Sequence, residues 1–176
     1  MKSYLEIQVP LSYNSPWFTE LRKLLSGLTP KWQTNFFHIT MAFLDETPDR
    51  MDLRPILQRH LDNVPAFTLT FDKLDAFTTR SGLHIVHLTS SKIPDDFVTL
   101  TESIRFDLKA AGAQIDSDFH LHVTLGRINV SNIELSQLQK MITSVALPQF
   151  SLTLTDVDYR VFRGRTIYET KLKKVQ

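Results

Sequence analysis

Apolar and polar residues alternate most regularly in two short stretches, Phe37-His38-Ile39-Thr40-Met41 and Leu121-His122-Val123-Thr124-Leu125. Successive side chains of a strand leave by opposite faces, so this period of two predicts half-buried strands. Each strand then presents a His and a Thr together, His38 with Thr40 and His122 with Thr124. The same period gives strands over 4–9, ending at Pro10, over 67–71, over 83–89 and over 150–154. A hairpin is expected over 157–171, turning at Arg163-Gly164-Arg165. The two key strands are expected to run over Phe36 to Leu44 and about Asp118 to Ile128.

Helical spacing fills the intervals. Ser15-Pro16 opens a helix with Phe18, Leu21, Leu24 and Leu25 on its apolar face and Gly27 as its stop. Asp49 is placed to cap a helix from Arg50 to about Leu61. Pro94-Asp95-Asp96 starts a third helix, carrying Phe97, Leu100, Ile104 and Leu108 and closing near Gly112. A fourth, with Leu135, Leu138 and Ile142, follows a cap at Ser131 or Asn132. The order strand, helix, His-strand, helix, strand therefore occurs at 4–71 and again at 83–154. This is a repeat of elements rather than of residues. It separates the first two His-x-Thr copies from a third, His87-Leu88-Thr89, which falls on the opening strand of the second set.

Composition narrows the function. A chain of 176 residues, 42% hydrophobic and 22% charged, suits one compact unit or two small lobes. Net charge is +1, which excludes a strongly basic nucleic-acid coat but leaves room for a local basic patch. The chain has no cysteine, so disulfides, thiolate zinc sites and cysteine nucleophiles are excluded. Residues 1–9, with Lys2 and Glu6, do not read as a secretion signal, and no apolar run approaches the roughly 20 residues of a membrane span. The expectation is a soluble, cytoplasmic monomer. Gly-rich phosphate loops, G-x-S-x-G and H-E-x-x-H are all missing from the sequence.

Two imidazoles in opposite protonation states can supply the base and the acid of phosphodiester cleavage. Thr40 and Thr124 can donate to the nonbridging oxygens, and the Arg127 guanidinium suits bidentate phosphate contact. The competing reading of any single His is a structural residue on a half-buried strand. His120, on the same face as His122, suggests either a metal pair with Asp116 or Asp118 nearby, or a neighbour that tunes His122. His84 and His87 should face opposite ways, and His60 should complement a helix C-terminus.

These residues resemble the 2H phosphoesterase superfamily, in its 2′-5′ RNA ligase or RNA 2′,3′-cyclic phosphodiesterase (LigT-like) branch. The similarity lies in Trp32…Asn35-Phe36-Phe37-His38-Ile39-Thr40-Met41-Ala42-Phe43-Leu44 and Phe119-His120-Leu121-His122-Val123-Thr124-Leu125-Gly126-Arg127. Val64 to Leu69, Leu74 to Phe77 and Gly164…Tyr168 are also similar. Asp45 stands where the branch often has Gly, and Leu121 where it often has Pro. The resemblance implies an α+β, bilobal and pseudo-symmetric fold, with antiparallel sheets facing across a central cleft and helices outside. Residues 1–176 would form one domain of two intertwined lobes. It also implies metal-independent opening of a 2′,3′-cyclic phosphate, at an RNA end or in a small nucleotide, to a 2′-phosphomonoester. The same site can in principle join ends as a 2′-5′ ligase. His122 would be the base and His38 the acid, with Thr40, Thr124 and Arg127 holding the phosphate and no cofactor or metal required. The alternative is a non-catalytic module that holds an RNA end or nucleotide phosphate in the same cleft.

Overall fold

The repeated order of elements is present twice in the computed structural model, which describes residues 1–47, 52–115 and 117–173. The first set is β1 (Ser3–Gln8), α1 (Pro16–Leu24), a short β2 (Lys31–Trp32), β3 (His38–Leu44), α2 (Arg54–Leu61), β4 (Phe67–Phe71) and β5 (Lys73–Thr78). The second is β6 (Leu83–Thr89), α3 (Asp95–Ala110), β7 (Val123–Asn129), α4 (Leu135–Ile142), β8 (Phe150–Leu154) and β9 (Asp156–Val161), after which β10 (Thr166–Lys171) closes a hairpin.

The fold is α+β with two antiparallel sheets. The larger runs β10-β9-β1-β3-β7-β6-β5, with β2 also paired to β7; the smaller is β4-β8. Within the large sheet, β10-β9-β1-β3 and β7-β6-β5 meet through the pair Ile39↔Val123, at the centres of the two His-x-Thr motifs. The sets exchange their last strands: β5 pairs with β6, and β9 pairs with β1. Helices cover one face, α3 lying on β3 and α4 on β5, while α1 packs on α4 and α2 on α3. Leu5, Ile7, Ile39, Val86, Leu88, Val123 and Leu125 are buried there. The small sheet is tied in by rings, Phe67 against Phe97 at 5.2 Å and Phe150 against Trp17 at 6.0 Å. Among the described residues no helix is long and apolar enough to cross a membrane.

Element ends differ from expectation for local reasons. Ser15 precedes α1, but its hydroxyl donates to the Ser12 carbonyl instead of accepting from the helix. That helix ends at Leu24, and Gly27 sits in a following 3-10 turn, the left-handed residue being Thr29 at φ 49°. Asp49 and Arg50 lie outside the described residues, and α2 is seen from Arg54 with Pro55 in its first turn. Neither Ser131 nor Asn132 caps α4. Both belong to a 3-10 turn whose amide at Ser131 is taken by the Asn129 side chain, and Glu134 precedes the helix. The strand β5 was not anticipated, because only Asp72 separates it from β4.

Candidate active site

Both motif strands begin later than their alternation suggests. Phe36 has φ 52°, a left-handed conformation that a bulky residue enters at a cost, and it turns the chain so that β3 starts at His38. On the other strand, Thr89 Oγ1 donates to the Leu121 carbonyl at 2.6 Å, and β7 starts at Val123. A left-handed residue thus precedes the first motif, and a side-chain hydrogen bond from β6 precedes the second.

Each strand then carries a bulge directly after its Thr. Opposite β1, Glu6 pairs with Thr40 but Leu5 with Ala42, so Met41 is the extra residue. Opposite β6, His87 pairs with Thr124 but Val86 with Gly126, so Leu125 is the extra residue. A bulge reverses the parity of the strand beyond it. The fifth residue after each His, Phe43 in one strand and Arg127 in the other, therefore returns to the face of its own His and Thr. Gly126 points to the opposite face, where the Trp32 ring occupies the space a Cβ would need, with Cε3 at 2.6 Å.

The imidazoles are anchored alike. His38 Nδ1 lies 2.9 Å from the Phe36 carbonyl, and His122 Nδ1 lies 3.0 Å from the His120 carbonyl. A carbonyl only accepts, so each Nδ1 donates and Nε2 is left as the nitrogen that exchanges protons.

Their surroundings differ. His38 Nε2 lies 3.5 Å from Oε2 of Glu6, a residue only 3% exposed, and the Tyr4 ring stacks near the imidazole at 6.3 Å. Burial raises the Glu6 carboxyl above its ordinary value, while His38 and Arg160 act to keep it ionised. His122 has no carboxylate against it among the described residues. Burial lowers its pKa, and the charges of His38 and His120 act the same way, against the favourable hydrogen bond to the His120 carbonyl. Its ring meets Phe77 edge-on at 5.3 Å and His87 at 5.7 Å. His87 is itself buried, which pushes its pKa down to about 4.

A cavity of about 960 Å³ opens beside His122. Thr40 and His122 belong to its wall, with Phe43, Phe77 and Phe119 as its aromatic side and Lys73 and Arg105 among its polar groups. His38, Thr124 and Arg127 lie outside that lining, so the cavity adjoins the motif face instead of enclosing it. His120 also lines it and acts on His122 through its carbonyl and its charge. Among the described residues no three His, Cys, Asp or Glu side chains are grouped to hold a metal; Asp116 lies outside them. His84 does face away from His87, bonded to Thr78 and the Ile133 carbonyl, and His60 bonds Asp107 at 2.6 Å near the end of α2. Glu6 was missed in the sequence, where it is one residue of an ordinary strand, and Phe77, named there only within a stretch similar to the family, lies on the unanticipated β5.

The model of the 2′-5′ RNA ligase superfamily matches residues 10–166. The chain belongs to this superfamily. A curated relative, the RNA 2′,3′-cyclic phosphodiesterase of Archaeoglobus fulgidus, is 28% identical over 109 residues, 61% of this chain and 60% of the relative. The match thus spans less than two thirds of that protein's length. Solved structures share the fold. LigT of E. coli complexed with 3′-AMP superposes with a TM-score of 0.61 at 22% identity, covering 98% of this chain and 95% of its own. Usb1 of Kluyveromyces marxianus gives 0.65 at 13% identity, covering 97% and 98%. TT0787 of Thermus thermophilus gives 0.63 at 15% identity over the whole of both chains.

Proposed function

We propose that the protein is a phosphodiesterase that opens 2′,3′-cyclic phosphates at RNA ends or in small nucleotides, leaving a 2′-phosphomonoester. The observation that carries this is the pair of imidazoles anchored through Nδ1 on adjoining strands and set in opposite surroundings. His122, depressed by burial, is unprotonated at neutral pH and takes a proton from water as the water oxygen attacks phosphorus. His38, beside the Glu6 carboxylate, delivers its Nε2 proton to the 3′ oxygen as the P–O3′ bond breaks. Thr40 and Thr124 donate to the nonbridging oxygens, and Arg127 neutralises the charge that gathers there. Phe43, Phe77 and Phe119 offer the adjoining cavity an apolar wall for a nucleoside. Both halves of the sheet contribute, so residues 1–176 act as one catalytic unit. The curated relative's name and the superfamily support the reaction class. Both proton transfers use imidazoles, so the scheme uses no metal.

The test is turnover of an oligoribonucleotide ending in 2′,3′-cyclic phosphate with EDTA present, products being resolved against 2′- and 3′-phosphate standards. A 2′-phosphate formed by the wild-type protein and not by His38→Ala or His122→Ala is expected. Saturable binding of the same end without product would replace the enzyme by a binding module.

A further inference from the structure

Among the described residues, Glu6 is the buried carboxylate set against His38, and the scheme above gives it no step of its own. It stands on β1 directly opposite Thr40, with Gln8 opposite His38. On its other side β9 brings Asp158 opposite Glu6 and Arg160 opposite Tyr4. The charged and titratable groups around it are therefore His38 from β3, Asp158 and Arg160 from β9, and Tyr4 from its own strand. Each carboxylate oxygen faces a different basic side chain. Oε1 is 3.7 Å from Arg160 Nη1, and Oε2 is 3.5 Å from His38 Nε2. Asp158 is occupied by the Gln8 side-chain amide and is not available to His38 by the same route.

Oε2 is the informative atom. It is fully shielded from solvent and has no hydrogen-bond partner among the described residues. A buried unpaired carboxylate oxygen is costly, and such groups are retained where a specific partner answers them. The group that faces Oε2 is the His38 imidazole.

We infer that Glu6 is the positioning residue of His38: braced by Arg160, its carboxylate charge beside the imidazole favours the imidazolium and so assigns His38, and not His122, the part of the acid. The inference rests on the reading of the cleft as a phosphodiesterase site. In each turnover one proton leaves His38 Nε2 for the 3′ oxygen and one passes from water to His122. Solvent returns the first and accepts the second, and Glu6 remains a carboxylate throughout. The burial that raises the Glu6 pKa has a consequence of the same sign: protonation of Glu6 on acidification releases His38.

The experiment compares Glu6→Gln and Glu6→Asp with wild type on the cyclic-phosphate oligonucleotide across pH, alongside NMR titration of the His38 Cε1–H signal. For Glu6→Gln, kcat is expected to fall at least tenfold with KM within about twofold. The alkaline limb of the kcat profile should move to lower pH, and the His38 titration midpoint should move with it. Glu6→Asp should lie between. A Glu6→Gln protein with wild-type kcat and an unmoved His38 titration overturns the inference. So does one in which kcat falls with thermal stability while both the alkaline limb and the His38 titration stay in place, since that is a packing role. The NMR arm needs no turnover, so an inactive wild-type protein would remove the reading of the site while the Glu6–His38 coupling was still decided.

Discussion

The His87 and His122 rings stand 5.7 Å apart at 76°, two imidazoles of which one is pinned to the Ile85 carbonyl and the other to the His120 carbonyl. Burial takes the His87 pKa from 6.5 to about 4, so this neighbour is uncharged at neutral pH. A group whose pKa is depressed on folding binds fewer protons in the native state. Its stabilising contribution is complete above about pH 6.5 and lost as pH falls to about 4, amounting to roughly 3 kcal/mol at full loss. His87→Phe should lose less stability than wild type between pH 7.5 and 4, measured by urea unfolding at each pH. It should keep turnover within a few-fold, because His87 moves no proton.

His122 is expected to set the acid limb of the kcat/KM profile. Because burial lowers its pKa, activity should persist below the ordinary imidazole value of about 6.5 before it falls. His122→Ala and His38→Ala should each reduce kcat by about 10²–10⁴-fold, with circular dichroism and melting unchanged in form. Comparable losses from His87→Ala would mean that the wrong imidazole has been given the base's part.

Lys31 and Arg127 are directly opposed on β2 and β7, two exposed cations with no ion pair among the described residues. Like charges so placed repel, and an anion relieves the repulsion. Arg127→Met should raise KM at least tenfold, and Lys31→Ala should raise it less. Measured between about 50 and 200 mM salt, each should flatten the dependence of log KM on log salt by about one unit. A rise in KM with the slope unchanged would point to lost packing instead of lost phosphate contact.

Gly126→Ala places a methyl where Trp32 Cε3 stands 2.6 Å away. Such overpacking should cost about 1–3 kcal/mol in urea or thermal unfolding. Trp32→Leu should recover part of that loss when combined with Gly126→Ala, which a double-mutant cycle would measure.

The sequence showed which residues share a strand face and little about what lies beside that face. His38 with Thr40, and His122 with Thr124, were legible because a period of two is local. Arg127 was named for its chemistry, yet five residues from His122 an unbroken strand would turn it to the core. The bulge at Leu125 that brings it back is set by pairing with β6, not by any neighbour in the chain. Phe43 was equally ambiguous and is resolved by the equivalent bulge at Met41. Glu6 reads as the polar position of an alternating strand. Its role depends on β1 lying between β3 and β9, a register that forms between distant segments. The cap of α4 was misplaced because Ser131 and Asn132 belong to a separate 3-10 turn held by the Asn129 side chain.

The exchange of end strands also governs when the site comes into being. Glu6 and Arg160, which meet at 3.7 Å, stand on β1 and β9, strands far apart in the sequence. Until β9 pairs, β1 is an open edge and Glu6 lacks Arg160, its brace. A chain in which β9 is unpaired can therefore hold both His-x-Thr strands and still lack the Arg160 contact on Glu6. That contact belongs to the long-range, intrinsically slow pairings of the fold rather than to the motifs themselves.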